Sequence, residues 1–308
     1  MRNSPRIIGL ALFFLAGCTR PGDLPVEDVL RRSADASRAL QSVTLNVEGT
    51  VRIAQAESIY TLRPTVRGTL HNGGKQVQVR VGITGTLQED ESTFDLTADI
   101  ETIVASMNEV YVQVHRLQTT PTHPLLNAEA LSAITGTWMQ LPINQAVVAT
   151  ADVTPDPRLL RAQSEVVTVT RDRGMEMFNE KEVYVYDVQV DPEKLLAYLR
   201  QVAKEDDQPF DEAEARTLFA NYHATGTIWI DAKDFTIQRL HWDIAPKDPN
   251  AEGITANITV DFTDHNAAAP IVPPTSAVPL PGTGLPVESE SSSSVNTIRT
   301  SSSTSSDV

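Results

Sequence analysis

The sequence predicts an α+β fold in which a meander of long antiparallel strands carries a few helices. Two observations predict it. Apolar residues recur at every second position from Val43 to Val114, and again in segments between Val166 and Thr263. Helical spacing is confined to short stretches, chiefly Val26 to Leu40 and Leu195 to Val202.

The first helix is expected from Val26 to about Leu40. Val26, Val29, Leu30, Ala34, Ser37 and Leu40 recur at near-helical spacing, and Glu27 and Asp28 suit the positive end of a helix dipole. The period then changes to two. Val43, Leu45, Val47, Val51 and Ile53 alternate with polar residues, and Tyr60, Leu62, Val66 and Leu70 continue the alternation. Val77, Val79, Val81, Ile83 and Leu87 form a third strand, and Phe94, Leu96, Ala98 and Ile100 a fourth. Val110, Val112 and Val114 form a fifth. Asn72-Gly73-Gly74 and Glu89-Asp90-Glu91 read as the turns between them.

The middle of the chain is looser. A short helix is expected around Asn127 to Ile134, a short strand at Trp138 to Leu141, and a helical turn from Asp156 to Arg161. Strands return at Val166 to Thr170 and Val183 to Val190. Asp191-Pro192-Glu193 then opens a helix, with Asp191 as its cap and Pro192 at the first helical position. Another helix is expected from Asp211 to Phe219. Three strands follow at His223 to Ile230, Thr236 to Ile244 and Ile254 to Thr263, the first two joined by a turn at Asp231-Ala232-Lys233-Asp234.

The two ends have different compositions. Arg2 and Arg6 precede an apolar run from Ile7 to Leu15, too short to span a bilayer. Leu15-Ala16-Gly17-Cys18 follows, and Cys18 is the only cysteine of the chain. This resembles the bacterial lipobox. The resemblance implies removal of residues 1–17, an acyl-bearing thioether on Cys18 with palmitate-type chains, and export to the outer face of a cell membrane. Residues 18–25 would then be a lipidated tether. Thr19 after the cysteine would favour the outer membrane in a host with two membranes. The body is expected to span residues 26–265. From residue 266 to 308 Ala, Pro, Gly and Ser dominate, and a disordered tail is expected. Leu280-Pro281-Gly282-Thr283-Gly284 matches a sortase pattern, but no apolar span and basic end follow it.

Charge excludes one class of partner. The chain carries a net −15, and loss of Arg2 and Arg6 with the signal takes it to −17. A nucleic-acid binder needs a basic footprint instead. The same balance keeps the body off an anionic lipid surface and leaves attachment to the acyl chains. With Cys18 lipidated no internal disulfide forms, and stability must come from a buried core.

No catalytic constellation is present. The sequence contains no Gly-x-Ser-x-Gly elbow, no His-Glu-x-x-His and no phosphate loop. The histidines at 71, 115, 123, 223, 241 and 265 are scattered. His115 and His123 flank a Pro-rich loop, and the acids at 205–207 and 211–212 lack regular metal-ligand spacing. Neither an enzyme nor a metal or other cofactor is therefore expected.

The order of elements, with Leu40-Gln41-Ser42-Val43, Gly136-Thr137-Trp138-Met139-Gln140-Leu141, and the hairpin from Gly226-Thr227-Ile228-Trp229-Ile230-Asp231 to Ile237-Gln238-Arg239-Leu240, resembles the LolA-like lipoproteins of the LppX–LprG group. The resemblance implies a strongly curved antiparallel half-barrel with helices over its concave face. It also implies an apolar cavity for the acyl chains of a lipid or glycolipid. The candidate lining is Val77, Val79, Val81, Ile83, Phe94, Leu96, Ile100, Val110, Val112 and Val114. With 6% aromatic residues, few large rings are available to fill a wide concavity. Trp229 and Trp242 are expected in the core or at the cavity rim. The alternative is a surface-displayed module with a filled core, no ligand, and a cell-envelope protein as partner.

Overall fold

The structure is a computed structural model that describes residues 24–89, 92–106, 109–123, 132, 134–141, 165–205 and 207–279. Residues 1–23 with Cys18, most of the short helix expected around Asn127, the turn expected from Asp156, and residues 280–308 lie outside the described residues.

Helix α1 (Val26–Ala39) leads into a run of long strands. These are β1 (Ser42–Gln55), β2 (Ser58–His71), β3 (Gln76–Glu89), β4 (Ser92–Ser106) and β5 (Glu109–Thr120), with the short β6 (Trp138–Gln140) after them. A second run comprises β7 (Val167–Phe178) and β8 (Lys181–Val190). Helices α2 (Pro192–Glu205) and α3 (Glu212–Asn221) interrupt it before β9 (Tyr222–Asp231), β10 (Ile237–Pro246) and β11 (Gly253–Thr263). The two-residue β12 (Val278–Pro279) is last.

All twelve strands belong to one open sheet in the order β12-β6-β5-β4-β3-β2-β1-β11-β10-β9-β8-β7. The two meanders meet where β1 pairs antiparallel with β11, Leu45 opposite Phe262 and Val47 opposite Val260. The pairings are antiparallel except that of β12 with β6. Alternation is preserved across these pairs, so the apolar positions of neighbouring strands fall on one face.

Local chemistry explains the joints. Gly73 adopts φ +62° in the turn between β2 and β3, a conformation natural to glycine. Gly226 on β9 lies opposite Trp242 on β10, and a Cβ there would sit 2.1 Å from the His241 carbonyl oxygen. The missing side chain makes room for the indole ring. Asp231 Oδ1 accepts hydrogen bonds from the Lys233 and Asp234 amides, which closes the β9–β10 turn. Asp191 Oδ1 caps α2 by accepting from the Glu193 and Lys194 amides at 3.0 and 3.2 Å. The Lys194 amide foremost holds the Asp191 carboxyl below the usual carboxylate range. Asp211 caps α3 in the same way, through the Glu214 amide at 2.9 Å.

The core gathers both meanders and two helices. Val29 of α1 and Tyr198 of α2 lie in one buried cluster with Val43, Leu45, Leu70, Val77, Val79, Val110, Tyr186, Ile228 and Ile230. Leu195, Leu199 and Val202 add the apolar stripe of α2. Helix α3 contributes no buried residue. It is held to α2 by Glu212, which binds Arg200 and Arg216, and by Arg216, which also binds Glu193.

Several features differ from the sequence expectation. Strand β7 continues to Phe178 because shifts at Val169/Arg171 and Asp172/Gly174 carry the pairing through a polar stretch. The chain stays on the body beyond residue 265. The Asn266 amide donates to the Ser42 carbonyl oxygen at 2.7 Å, and His71 Nε2 lies 2.7 Å from the Ala269 carbonyl oxygen. Ala268 is buried, and β12 pairs with β6, so contacts with the body continue through residues 266–279. Trp229 and Trp242 also separate. Trp242 packs against the apolar core, whereas Trp229 points to the other face beside Phe178, at a centroid distance of 6.4 Å.

Candidate functional site

The candidate site is the apolar face of the sheet, and its geometry follows from the register. Val77, Val79, Val81 and Ile83 of β3 lie opposite Val104, Thr102, Ile100 and Ala98 of β4. Phe94 and Leu96 lie opposite Leu87 and Gly85. On the next strand Val114, Val112 and Val110 lie opposite Ile100, Thr102 and Val104. All ten candidate residues therefore share one face of three adjacent strands. A shift between Asp99 and Ile100 leaves His115 as the extra residue of β5 and keeps Val114 on this face.

Burial is uneven along that face, and on β4 Phe94 and Ala98 are buried beside half-buried Leu96. Val77, Val79 and Val110 are at most 1% exposed, and Phe94 and Val114 are also buried. Val81, Ile83, Leu96, Ile100 and Val112 are half-buried. On β1 and β2 burial falls from one end to the other. Val43, Leu45 and Leu70 are buried at the end next to α1, whereas Val51, Ile53, Tyr60, Leu62 and Leu87 are half-buried at the opposite end. Ile254, across from Ile53, is exposed.

The α1 end is packed solid. A space of about 10 Å³ lies between Ser37 and Leu40 on one side and Val43, Ile237, Phe262 and His265 on the other. That is room for about one water molecule. Close contact continues beneath Gly68, where a Cβ would come within 2.7 Å of Val79 Cγ1. His265 Nε2 lies 2.9 Å from the Ile237 carbonyl oxygen, and burial pushes its imidazole below the ordinary histidine value.

Polar groups meet at the opposite end. Tyr60 donates its hydroxyl to Glu89 Oε1 at 3.2 Å, and His123 Nε2 lies 3.4 Å from Glu89 Oε2. The same imidazole meets Phe94 edge-on at a centroid distance of 4.8 Å. Tyr60, Glu89 and His123 thus edge the less buried part of the apolar face. Sequence reasoning placed Tyr60 only as a strand residue and weighed His123 only for metal. The three are separated by 29 and 34 positions in the chain, and only the strand register joins them. His115 pairs with a different carboxylate, Glu101, at 3.1 Å. Among the described residues no cluster of histidine, cysteine and carboxylate side chains has the makings of a metal site. Among those residues no helix is long and apolar enough to cross a membrane.

No protein-family model matches the sequence, and no curated protein matches it. Solved structures do. The lipoprotein LppX of Mycobacterium tuberculosis is similar at 13% identity, over 80% of this chain and 98% of its own, with a TM-score of 0.38. LprF of Mycobacterium bovis is similar at 13% identity, over 82% of this chain and 97% of its own, with a TM-score of 0.39. A LolA superfamily protein of Nitrosomonas europaea is similar at 11% identity, over 80% of this chain and 96% of its own, with a TM-score of 0.23. What this chain binds is a question for its own residues.

Proposed function

We propose that this protein is a lipid-anchored lipoprotein of the cell envelope that binds the acyl chains of a lipid or glycolipid. The observation that carries the reading is the incomplete burial of a continuous apolar face. Val43, Val77 and Val79 are buried, whereas Leu62, Ile83, Leu87 and Leu96 remain half-buried around the buried Phe94 and Ala98. Acyl chains laid on that part would gain roughly 0.8 kcal/mol per buried CH₂. In this reading the sheet curls about α1 and α2, and the chains lie against the ten candidate residues. Tyr60, Glu89 and His123 face the polar end of the lipid at the rim. The Leu15-Ala16-Gly17-Cys18 segment supports anchoring through Cys18, on the outer side of the membrane. The role is carriage or presentation of lipid, without a catalytic step.

Native mass spectrometry of the chain from Thr19 onward, expressed without the signal and purified without detergent, tests this. A bound mass of lipid size, lost after organic extraction, is expected. A clean apo mass that persists after incubation with membrane lipids would remove the reading and leave a filled, protein-binding module.

A further inference from the structure

The opposite face of the same strands is polar, and on it four arginines surround a groove of about 380 Å³. Arg63 and Arg67 stand on β2, Arg80 on β3 and Arg116 on β5. Glu48 and Asp99 are the acids of its lining, so the groove carries a local charge of +2 in a protein of net charge −15. Composition alone would not place a basic concavity here.

The arginines are not equivalent. Arg80 donates from Nε and Nη2 to the two oxygens of Asp99, at 2.8 and 2.7 Å. That fork occupies Asp99, and the Arg80 hydrogen bonds hold its carboxyl below the usual range. Arg116 is the register partner of Asp99, and its guanidinium forms no ion pair with it. Arg63 and Arg67 are exposed and make no hydrogen bond or ion pair with the described residues. Arg67 also stands directly opposite Arg80 in the β2–β3 register. Asp99 compensates the charge of Arg80, which leaves Arg67 as the neighbouring cation available to a bound anion.

The floor is suited to a ligand. Thr65, between Arg63 and Arg67, lies opposite Gly82 and hydrogen-bonds the Gly82 carbonyl oxygen at 3.4 Å. A Cβ on Gly82 would fall 2.6 Å from Thr65 Oγ1, so the glycine keeps the centre of the groove low. Four residues of strand separate Arg63 from Arg67, about 13 Å at 3.3 Å per residue. Long arginine side chains rooted that far apart can converge on a ligand bearing more than one phosphate, since each planar fork can hold a phosphate with two hydrogen bonds.

We propose that the Arg63–Arg67–Arg116 groove binds a small, soluble, multiply charged phosphate compound. The occupant is a solute and not a membrane surface, because the arginines line a concavity and the body's net negative charge opposes an anionic bilayer. The inference does not depend on lipid binding, which uses the other face of the sheet.

Titration calorimetry of the chain from Thr19 onward with pyrophosphate, at constant ionic strength and against sulfate, is the test. Binding that is tighter for pyrophosphate than for sulfate is expected. An Arg63→Gln/Arg67→Gln double variant should weaken it at least tenfold, while Arg171→Gln on the distant strand β7 leaves it unchanged. Gly82→Val should abolish binding by filling the floor. Arg67→Gln alone should weaken binding and leave the thermal midpoint unchanged, because Arg67 makes no hydrogen bond or ion pair with the described residues. Weakened binding at an unchanged midpoint separates ligand recognition from a structural role. No binding at millimolar pyrophosphate, or equal binding by the double variant, overturns the proposal. So does sedimentation with phosphatidylglycerol vesicles without pyrophosphate binding, which would assign the arginines to lipid headgroups.

Discussion

His265 shows how one buried group ties stability to pH. Its ring packs at the junction of α1, β1 and β11, and burial lowers its pKa from the ordinary value. In the unfolded chain the imidazole titrates near about 6.5. Below that pH the unfolded state takes up a proton that the folded state resists. Stability therefore falls as pH drops from about 6.5 towards the folded pKa, and this contribution is flat above about 6.5. Urea midpoints at pH 7.5, 6.5 and 5.5 should decline in that order, and His265→Gln should flatten the decline. An unchanged slope in the variant would assign the acid sensitivity to other groups. Asp191 works at lower pH in the same direction, since its depressed carboxyl stabilises the fold above its unfolded pKa and loses that effect as it protonates. Replacing its cap by alanine should cost about 1 kcal/mol in denaturant unfolding at pH 7. It should cost less at pH 3.

At the scale of elements, alternation made most strands readable. It works because one sheet face is apolar throughout, so every second residue of β1 to β5 carries the same signal. Helix α2 was legible through Asp191, whose side chain does cap it, and α3 was expected from Asp211, whose capping role only the structure reveals. Reading failed where the period slips or the pairing is distant. The Arg171 to Gly174 stretch of β7 has no alternation because its register shifts twice. Strand β12 has two residues and pairs across more than a hundred positions, which no local pattern encodes. The chain after Asn266 has tail-like composition, yet backbone groups of Ser42 and Ala269 tie it down. A chain ending at Asn266 would lose the burial of Ala268, the His71 contact and the β12 edge. It should melt several degrees below a chain ending at Pro279, which keeps every described contact. Equal melting temperatures would mean that residues 267–279 decorate the fold without stabilising it.

For the molecule as a whole, the central question is why one face should be tightly packed in places and half-open in others. Sequence placed the ten candidate residues on a common face, but it could not rank them by depth. Val79 and Val81 look alike in the chain, yet the first is fully buried and the second partly exposed. The uneven burial makes two substitutions behave differently. Val79 is 0% exposed and belongs to the main cluster, so Val79→Glu buries a carboxylate without a partner and should unfold the protein. Leu96 lies on the less buried stretch, opposite Gly85, so Leu96→Glu should fold with only a modest loss of stability. A fluorescent fatty acid would then report the difference: the folded Leu96→Glu protein should take up far less of it than the parent chain. Loss of folding in both variants would indicate a core filled along its whole length, with the apolar face serving stability alone. Retained uptake by a folded Leu96→Glu protein would move the acyl chains away from β3 and β4. Lipid binding on this face and phosphate binding on the other share the same strands, so a variant that fails in only one assay separates the two faces within one sheet.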